Sequence, residues 1–115
     1  MTALPLLHTV VDALENLKAM DIKSLEVAKL TPLNDYMVIV SGTSSRHVQA
    51  IAENLLRTLR DLRIKPCRME SDIDNEWLLI DVGDVVVHIM HPRTRAFYNL
   101  EGLWSQTNYI GEAVA

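Results

Sequence analysis

Cysteine is almost absent from this chain, which narrows the ways in which it can be stabilised or bind metal. Cys67 is the single cysteine among 115 residues, so an internal disulfide and a multi-cysteine metal site are both excluded. The sequence also lacks internal repeats, low-complexity stretches and a recognisable linker. We therefore expect one domain over residues 1–115, with an ordered core over about residues 4–105 and a frayed tail after Ser105.

Long apolar runs and a secretory leader are missing as well. No run approaches the roughly 18 apolar residues that are needed to cross a bilayer. The N-terminal segment has no basic leading region and carries Asp12 and Glu15, unlike a signal peptide. We expect a cytoplasmic protein that has no membrane partner.

Basic residues are fewer than acidic residues in this chain. The chain has 11 Lys and Arg against 15 Asp and Glu, which gives a formal net charge of −4. Proteins that hold nucleic acid mainly through its phosphates are usually basic, because counterion release drives that binding. The balance therefore indicates little or no direct nucleic-acid binding and favours a basic protein partner. A homodimer is a further option that the sequence leaves open.

One stretch of the sequence is nevertheless basic. Its cations are Arg57, Arg60, Arg63, Lys65 and Arg68. Acidic side chains, Glu53 and Asp61, dilute it, so we interpret it as the solvated face of a helix.

The spacing of apolar residues predicts an α/β domain. Hydrophobic residues make up 49% of the chain and charged residues 23%, as in globular domains. The predicted helices run from Pro5 to Met20, from the Ser41–Ser45 turn to Leu62, and onward from Pro92. The predicted strands are Ser24–Lys29, Tyr36–Val40, Cys67–Glu70, Trp77–Val82 and Val85–Met90. This order indicates a mixed sheet of about five strands flanked by helices.

Two of the predicted helices carry apolar stripes that we expect to face the core. The stripe of the second helix is Val48, Ile51, Leu55, Leu59 and Leu62. In the last helix, Phe97, Leu100 and Trp104 share a face. Gly102 weakens the final turn of that helix, because glycine is a poor helix former.

Gly83-Asp84 predicts a tight hairpin between the last two strands, because glycine in the first position of a two-residue loop favours a type II′ turn. Such a turn pairs Val82 with Val85 and assigns every side chain to one face of the sheet. The first face carries Leu78, Ile80, Val82, Val85, Val87 and Ile89, and is expected to be core. The second face carries Trp77, Leu79, Asp81, Val86, His88 and Met90.

The second face has two interpretations. Trp77, His88 and Met90 cluster at the open end of the hairpin and form an amphipathic surface of the kind that protein partners use. Alternatively, the last helix covers this face and the cluster is ordinary core, since Trp and Met are buried more often than not. The sequence leaves both interpretations open.

No catalytic or metal-binding constellation stands out. The Gly42–Ser45 turn lies between a strand and a helix, where N–H groups can hold a phosphate, but it lacks the lysine of a P-loop. We interpret it as a helix cap. Asp81 and Asp84 lack the further converging carboxylates that metal-assisted transfer needs. We predict no enzymatic activity, no cofactor and no metal.

Three ordered segments carry a family resemblance that spans nearly the whole chain up to Trp104. They are DYMVIVSGTSSRH at Asp35–His47, WLLIDVGDVVVH at Trp77–His88 and YNLEGLW at Tyr98–Trp104. Together they resemble the ribosomal silencing factor family, also called Iojap or YbeB. The resemblance implies a nucleotidyltransferase-like α/β fold without the catalytic carboxylates.

The resemblance also implies a function. Members of this family bind the fourteenth large-subunit ribosomal protein at the intersubunit face, block joining of the small subunit and lower translation under nutrient limitation, as in stationary phase. Plant and mitochondrial relatives are associated with assembly of organelle ribosomes. A large-subunit assembly factor is therefore one alternative, and a nucleotidyltransferase-like enzyme that uses the Gly42 turn is another.

We expect the docking surface to lie at the open end of the hairpin and the start of the last helix. The residues expected to form it are Trp77, Leu78, His88, Met90 and Tyr98. Leu78 is the ambiguous member, because the register points it at the core while its place beside Trp77 at the strand end favours exposure.

Overall fold

A single mixed sheet organises the computed structural model, which describes the backbone of residues 2–103 and 108–111. The helices are α1 (Ala3–Asn16), α2 (Ser45–Asp61), α3 (Pro92–Tyr98) and α4 (Leu100–Leu103). The strands are β1 (Met20–Glu26), β2 (Tyr36–Ser41), β3 (Arg68–Ser71), β4 (Trp77–Asp81), β5 (Val85–Met90) and β6 (Asn108–Gly111). Their order is β3-β4-β5-β2-β1-β6, with β2 and β5 parallel and the other neighbours antiparallel. The predicted mixed sheet is confirmed, and β6 is added to it.

Helices α1 and α2 cover the first face of the sheet. The hairpin residues buried beneath them are Ile80, Val82, Val85, Val87 and Ile89, as the pattern predicted. From α2 they meet Val48, Ile51, Leu55 and Leu59. The expectation that Leu62 completes this stripe is wrong: α2 ends at Asp61, and Leu62 is 43% exposed at the helix terminus. Within the described ranges, no helix is long and apolar enough to span a bilayer.

The second face of the sheet is apolar as well. Its buried residues are Leu25, Val27, Met37, Ile39, Val86 and Met90. Leu100 of α4 packs against them, and so do Trp77 and Leu79. The centre of this face is therefore core, in agreement with the second of the two interpretations of the hairpin.

The hairpin turn has the geometry that the sequence predicted. Gly83 adopts a φ of +90°, which side-chain-bearing residues rarely tolerate, and the Val82 N–H donates to the Val85 carbonyl at 2.8 Å. The side chain of Asn34 donates to the Gly83 carbonyl at 2.7 Å and to Asp81 Oδ1 at 3.1 Å. Because the turn is held from outside, the register that pairs Trp77 with Met90 is well determined.

The connection between α1 and β1 has the predicted length but lies four residues earlier in the chain. The helix ends at Asn16 rather than Met20, and the strand covers Met20–Glu26 rather than Ser24–Lys29. Lys18 and Asp21 adopt left-handed φ values of 58° and 51°, so the chain reverses within a few residues. Apolar periodicity carries no signal for such a reversal, which explains the shifted boundaries.

The last helix is interrupted. Asn99 adopts a left-handed conformation with a φ of 46° and separates α3 from α4. Because the break changes the helical phase, Phe97 does not face the core with Leu100 as expected, and its side chain is 80% exposed. Trp104, the third member of that predicted stripe, lies outside the described residues. Beyond it, where a frayed tail was expected, β6 pairs with β1.

We predict that Ile80→Ala lowers the free energy of unfolding by about 2–5 kcal/mol, because Ile80 is 2% exposed and its loss leaves a cavity in the first core cluster. Ile73→Ala is the matched control, since Ile73 is 98% exposed and should change stability by about 0.5 kcal/mol or less. Denaturant unfolding of both variants provides the measurement. Equal losses for the two would contradict the assignment of this face as core.

Candidate partner-binding surface

Trp77 begins β4 at the open end of the hairpin, opposite Met90. Side chains alternate along a strand, so Trp77, Leu79 and His88 lie on the second face of the sheet. The Trp77 indole is half-buried there and packs at the margin of the second core cluster. One edge of the ring is therefore held in the core while the rest is accessible.

A hydrogen bond fixes the orientation of the Trp77 ring. Its Nε1–H donates to Nδ1 of His88 at 3.0 Å, and the two ring centroids are 5.8 Å apart. His88 lies on the neighbouring strand and is 7% exposed. The Trp77 Nε1–H and the His88 Nδ1 thus satisfy each other's hydrogen-bonding capacity at the edge of an apolar cluster. An unpaired polar atom at this position would lower the stability of the fold.

The Trp77–His88 bond requires a neutral imidazole, because Nδ1 can accept only when it carries no proton. Burial disfavours the charged form and, together with the positive charge of Arg68, lowers the pKa of His88 from 6.5 to about 4. His88 is therefore neutral over the physiological pH range and serves as an acceptor for Trp77.

Two further aromatic rings extend outward from Trp77. The Tyr98 ring lies 4.8 Å from the Trp77 ring between centroids, and the Phe97 ring lies 5.0 Å from that of Tyr98 in an edge-to-face arrangement. Tyr98 is 50% exposed and Phe97 is 80% exposed. We call Trp77, Phe97 and Tyr98 the aromatic surface. Sequence reasoning missed Phe97 because it assumed an unbroken helix.

Glu76 ties α3 to the start of β4 and so positions the aromatic surface. One oxygen of its carboxylate accepts from the Thr94 hydroxyl at 2.8 Å, and the other accepts from the Arg93 guanidinium at 3.0 Å. The Glu76 carbonyl also accepts the N–H of His91 at 2.8 Å. The hydrogen bond from Thr94, followed by the charge of Arg93, lowers the pKa of Glu76. A charged Glu76 thus anchors the first turn of α3.

The inner side of α3 is attached to the end of β2. Arg95 is 7% exposed, and its guanidinium donates to the Ser41 hydroxyl at 2.9 Å. Ser41 itself is buried at the last position of β2. With Glu76 on one side and Ser41 on the other, α3 is held at two strand ends, and Phe97 and Tyr98 project away from the sheet.

An acidic loop borders the aromatic surface. Asp72 Oδ1 accepts the backbone N–H groups of Glu76 and Trp77 at 2.8 and 3.2 Å, which shapes the loop between β3 and β4. Asp72 and Asp74 are both exposed. The Asp72 carboxylate therefore lies next to Trp77, and Asp74 adds a second exposed acidic residue to the same loop, which favours a partner of positive charge.

The structure places three members of the predicted docking surface in or against the core. Met90 is fully buried and His88 nearly so, because the second face of the sheet is core. Leu78 packs against the first core cluster, on the opposite face from Trp77, as the register argument indicated. Trp77 and Tyr98 are accessible, while His88 and Met90 lie behind them and support them.

The Gly42 turn uses its own donors internally. The Thr43 N–H donates to His47 Nδ1 at 2.9 Å, the His47 N–H donates to the Ser44 hydroxyl at 3.1 Å, and the Gly42 N–H donates to the Met90 carbonyl at 3.1 Å. A Cβ at Gly42 would lie 3.0 Å from Cγ2 of Val48, so the glycine allows close packing of strand end and helix. The turn is a helix cap, and the N–H groups of Gly42, Thr43 and, in the first turn of α2, His47 are occupied.

The carboxylate of Asp81 and the backbone of Asp84 have structural roles at the hairpin. Asp81 accepts from the Gly83 N–H at 2.9 Å and from Asn34, and the Asp84 carbonyl accepts the N–H groups of Asp35 and Tyr36. Among the residues that the structure describes, no group of three or more His, Cys, Asp or Glu side chains could hold a metal ion.

Comparison with known proteins places this geometry in a family. The sequence model of the family described as "Ribosomal silencing factor during starvation" matches residues 1–114. The ribosomal silencing factor RsfS of Chromobacterium violaceum is 39% identical over 94 residues, which cover 82% of this chain and 77% of that relative. The chain belongs to the ribosomal silencing factor family.

Two further relatives and a solved structure agree with this assignment. RsfS of Bacillus subtilis is 38% identical over 92 residues, covering 80% of this chain and 78% of the relative. A mouse protein named "Mitochondrial assembly of ribosomal large subunit protein 1" is 34% identical over 102 residues, 86% of this chain but 45% of that protein. A crystal structure of a Chromobacterium violaceum protein superposes with a TM-score of 0.88 at 35% identity, covering 100% of this chain and 95% of that one.

The Trp77–His88 pair makes the stability of this ribosomal silencing factor depend on pH. Between pH 6.5 and about 4 the unfolded chain takes up a proton at His88 that the folded chain does not, so stability falls as the pH falls through this window. From pH 7 to pH 5 we expect the wild type to lose about 2 kcal/mol more than His88→Gln, which keeps an acceptor but does not titrate.

Urea unfolding of both proteins at the two pH values measures this difference. The remaining titratable groups are common to both proteins, so their contributions cancel in the comparison. Parallel pH profiles would show that His88 is not held neutral by the fold.

Proposed function

We propose that this ribosomal silencing factor docks on the large ribosomal subunit through the aromatic surface and lowers translation by obstructing the small subunit. In this proposal the aromatic surface contacts the fourteenth large-subunit ribosomal protein at the intersubunit face. The domain then acts as a steric block and needs no catalytic step. Family membership supports the ribosomal partner, and the exposed aromatic surface is the observation that carries the docking site.

The aromatic surface has the properties of an interface anchor. Phe97 and Tyr98 expose large apolar area, while Trp77 is held from below by His88 and from the side by α3. Rigid aromatic side chains lose little conformational entropy on binding and dominate the energy of many interfaces. The surface is therefore prepared to bind in the conformation that the structure shows.

Charge supports a basic partner at this surface. Asp72 lies beside Trp77, Asp74 is exposed in the same loop, and the chain as a whole carries a net charge of −4. A basic ribosomal protein is attracted by both, which raises the rate of encounter more than it raises final affinity. Cytoplasmic ribosomes are the site of action in this proposal.

A purely steric role is supported by the state of the Gly42 turn. Two N–H groups of the turn, those of Gly42 and Thr43, and the N–H of His47 in the first turn of α2 donate within the chain, so a phosphate at these positions would have to displace existing hydrogen bonds. The carboxylate of Asp81 is engaged in the hairpin turn, where it accepts from Gly83 and Asn34. These observations favour a binding protein over a nucleotidyltransferase-like enzyme.

A large-subunit assembly factor is the second candidate. It is favoured by the mouse relative that is named for mitochondrial assembly of the ribosomal large subunit. The two functions differ in cells: loss of an assembly factor leaves immature large subunits during growth, whereas loss of a silencing factor leaves translation high during starvation. Sucrose-gradient profiles in the two growth states separate them.

We predict that the purified protein sediments with isolated large subunits but not with small subunits, and that it reduces joining of the two. The reason is that a domain seated on the intersubunit face occupies the space of the small subunit. Light scattering after mixing the subunits, with and without the protein, measures joining. Unchanged joining when the large subunits are saturated would contradict the steric mechanism.

We predict that Phe97→Ala weakens large-subunit binding by about 2 kcal/mol, roughly thirtyfold, while leaving stability within about 0.5 kcal/mol. Phe97 is 80% exposed, so its truncation removes contact area for a partner rather than core packing. Leu33→Ala is the matched control, because Leu33 is 78% exposed but its loop lies at the Gly83 end of the sheet.

Binding isotherms from co-sedimentation, measured beside denaturant unfolding, test the Phe97 prediction. Trp77→Ala should weaken binding and also lower stability, because it removes the donor to the buried Nδ1 of His88. Full binding by the folded Phe97→Ala protein would place the docking surface elsewhere.

A further inference from the structure

A second surface lies at the other end of the domain, where α2 passes into β3. A groove of about 430 Å³ opens there. Its apolar floor consists of Leu56, Ile64, Pro66 and Met69, and its cations are Arg60, Arg63 and Lys65. No acidic side chain lines it. We call it the cationic groove.

The end of α2 and the turn that follows it carry these cations. Arg60 is in the last turn of α2, and Arg63 adopts a left-handed φ of 60° that ends the helix and turns the chain back. The Ile64 N–H then donates to the Leu59 carbonyl at 2.8 Å and fixes this reversal. Lys65 is thereby placed beside the helix end rather than further along a solvated helical face.

The cations of the groove are available to a ligand. Arg60, Arg63 and Lys65 are all exposed, and within residues 2–103 and 108–111 none of them forms an ion pair. The acidic groups of the same region, Glu53 and Asp61, do not line the groove. A chain with a net charge of −4 thus presents a locally positive surface.

The helix dipole explains part of this arrangement. A cation in the last turn of a helix is stabilised by the partial negative charge of the terminal carbonyls, and Arg60 is in that position. Arg63 and Lys65 lie beyond the helix, where this effect fades within a turn. Their convergence on one groove with Arg60 therefore calls for a ligand of negative charge.

The cationic groove and the aromatic surface can be occupied at the same time. Met69 of β3 lines the groove and pairs with Ile80 of β4, whereas Trp77 is the first residue of β4. Three residue steps along a strand separate Ile80 from Trp77 by roughly 10 Å. A partner as large as a ribosomal subunit spans both surfaces.

We propose that the cationic groove binds the phosphate backbone of ribosomal RNA when the domain is docked, an inference that rests on the proposed function. Arginine matches phosphate geometry with two parallel hydrogen bonds, and two of the three groove cations are arginine. The groove holds no aromatic ring on which a base could stack. The contact is therefore with backbone rather than with bases, and it is independent of sequence.

An RNA contact of this kind is secondary to docking through the aromatic surface. The net negative charge opposes tight binding of free RNA, because three local cations release few counterions. Once the aromatic surface holds the domain on the large subunit, the groove reaches neighbouring phosphates at high effective concentration. The groove then adds affinity and orients the domain.

The test is the salt dependence of binding to purified large subunits between about 50 and 200 mM salt. The variant carries Arg60→Gln, Arg63→Gln and Lys65→Gln. Loss of three phosphate contacts should lower the slope of log affinity against log salt by about 2, at about 0.7 for each contact. A second variant with Arg60→Lys and Arg63→Lys keeps the charges and should keep most of the slope.

The matched control carries Lys18→Gln, Lys29→Gln and Arg46→Gln. It changes the net charge by the same amount at three exposed positions away from the groove. Its slope should stay at the wild-type value. Denaturant unfolding of each protein separates a structural role of Arg60 at the helix end from a role in binding, since a helix-dipole effect changes stability and leaves the slope unchanged.

Cross-linking identifies the ligand. A diazirine-bearing lysine analogue in place of Lys65 keeps the charge and reacts with whatever lies in the groove. A cross-linked product that nuclease digests supports the proposal, whereas one digested by protease alone would overturn it in favour of an acidic protein segment. An unchanged salt slope with intact binding would also overturn it. Absence of wild-type binding to large subunits would instead overturn the docking proposal on which it rests.

Discussion

The register of β4 against β5 is the constraint on which both faces of the sheet depend. Gly83 permits the left-handed turn, and Asn34 and Asp81 hold that turn through three hydrogen bonds. A slip by one residue would exchange the two faces of a strand and carry its aliphatic side chains out of the first core cluster. The same register sets His88 where it can accept from Trp77, so a turn at one end of the hairpin determines the surface at the other.

Burial of the central strands on both faces confines function to the edges and ends of the sheet. β2 and β5 are buried along nearly their whole length, which leaves no accessible polar group in the middle of the sheet. His88 is a polar side chain buried among these apolar residues, and its Nδ1 accepts a hydrogen bond from Trp77. The accessible rings, Phe97 and Tyr98, come from a short helix that Glu76 and Ser41 hold against strand ends. The buried central strands therefore stabilise the domain, while the accessible residues at the edges and ends of the sheet are the ones available to a partner.

The net charge does not reveal that acidic and basic side chains are concentrated in different regions of the molecule. The end that carries Trp77 is bordered by Asp72 and Asp74, whereas the end of α2 carries Arg60, Arg63 and Lys65. Over the length of the domain the two regions are partly screened from each other at physiological salt, since the Debye length is about 8 Å. The charges at each end therefore interact mainly with the partner groups that lie closest to them. A ribosomal subunit, which exposes both basic proteins and RNA, complements such a distribution.

The sequence by itself determined the elements whose physics is local or periodic. Alternating aliphatic residues and the Gly83-Asp84 turn were sufficient for the register of the hairpin, and the apolar run Tyr36–Val40 was sufficient for a strand. The three motif segments were sufficient for the family. These features depend on near neighbours in the chain, so a single sequence contains their signal.

Only the tertiary structure decided which side chains are exposed. Met90 and Trp77 have the same predicted face, yet Met90 is fully buried and Trp77 half-buried, because packing across the sheet differs between its centre and its margin. Phe97 turned outward because Asn99 breaks the helix, and the cations of the α2 terminus converged because Arg63 reverses the chain. The exposure of a side chain depends on contacts between segments that are distant in sequence and on single residues in the left-handed conformation. Neither of these produces a periodic pattern in the sequence.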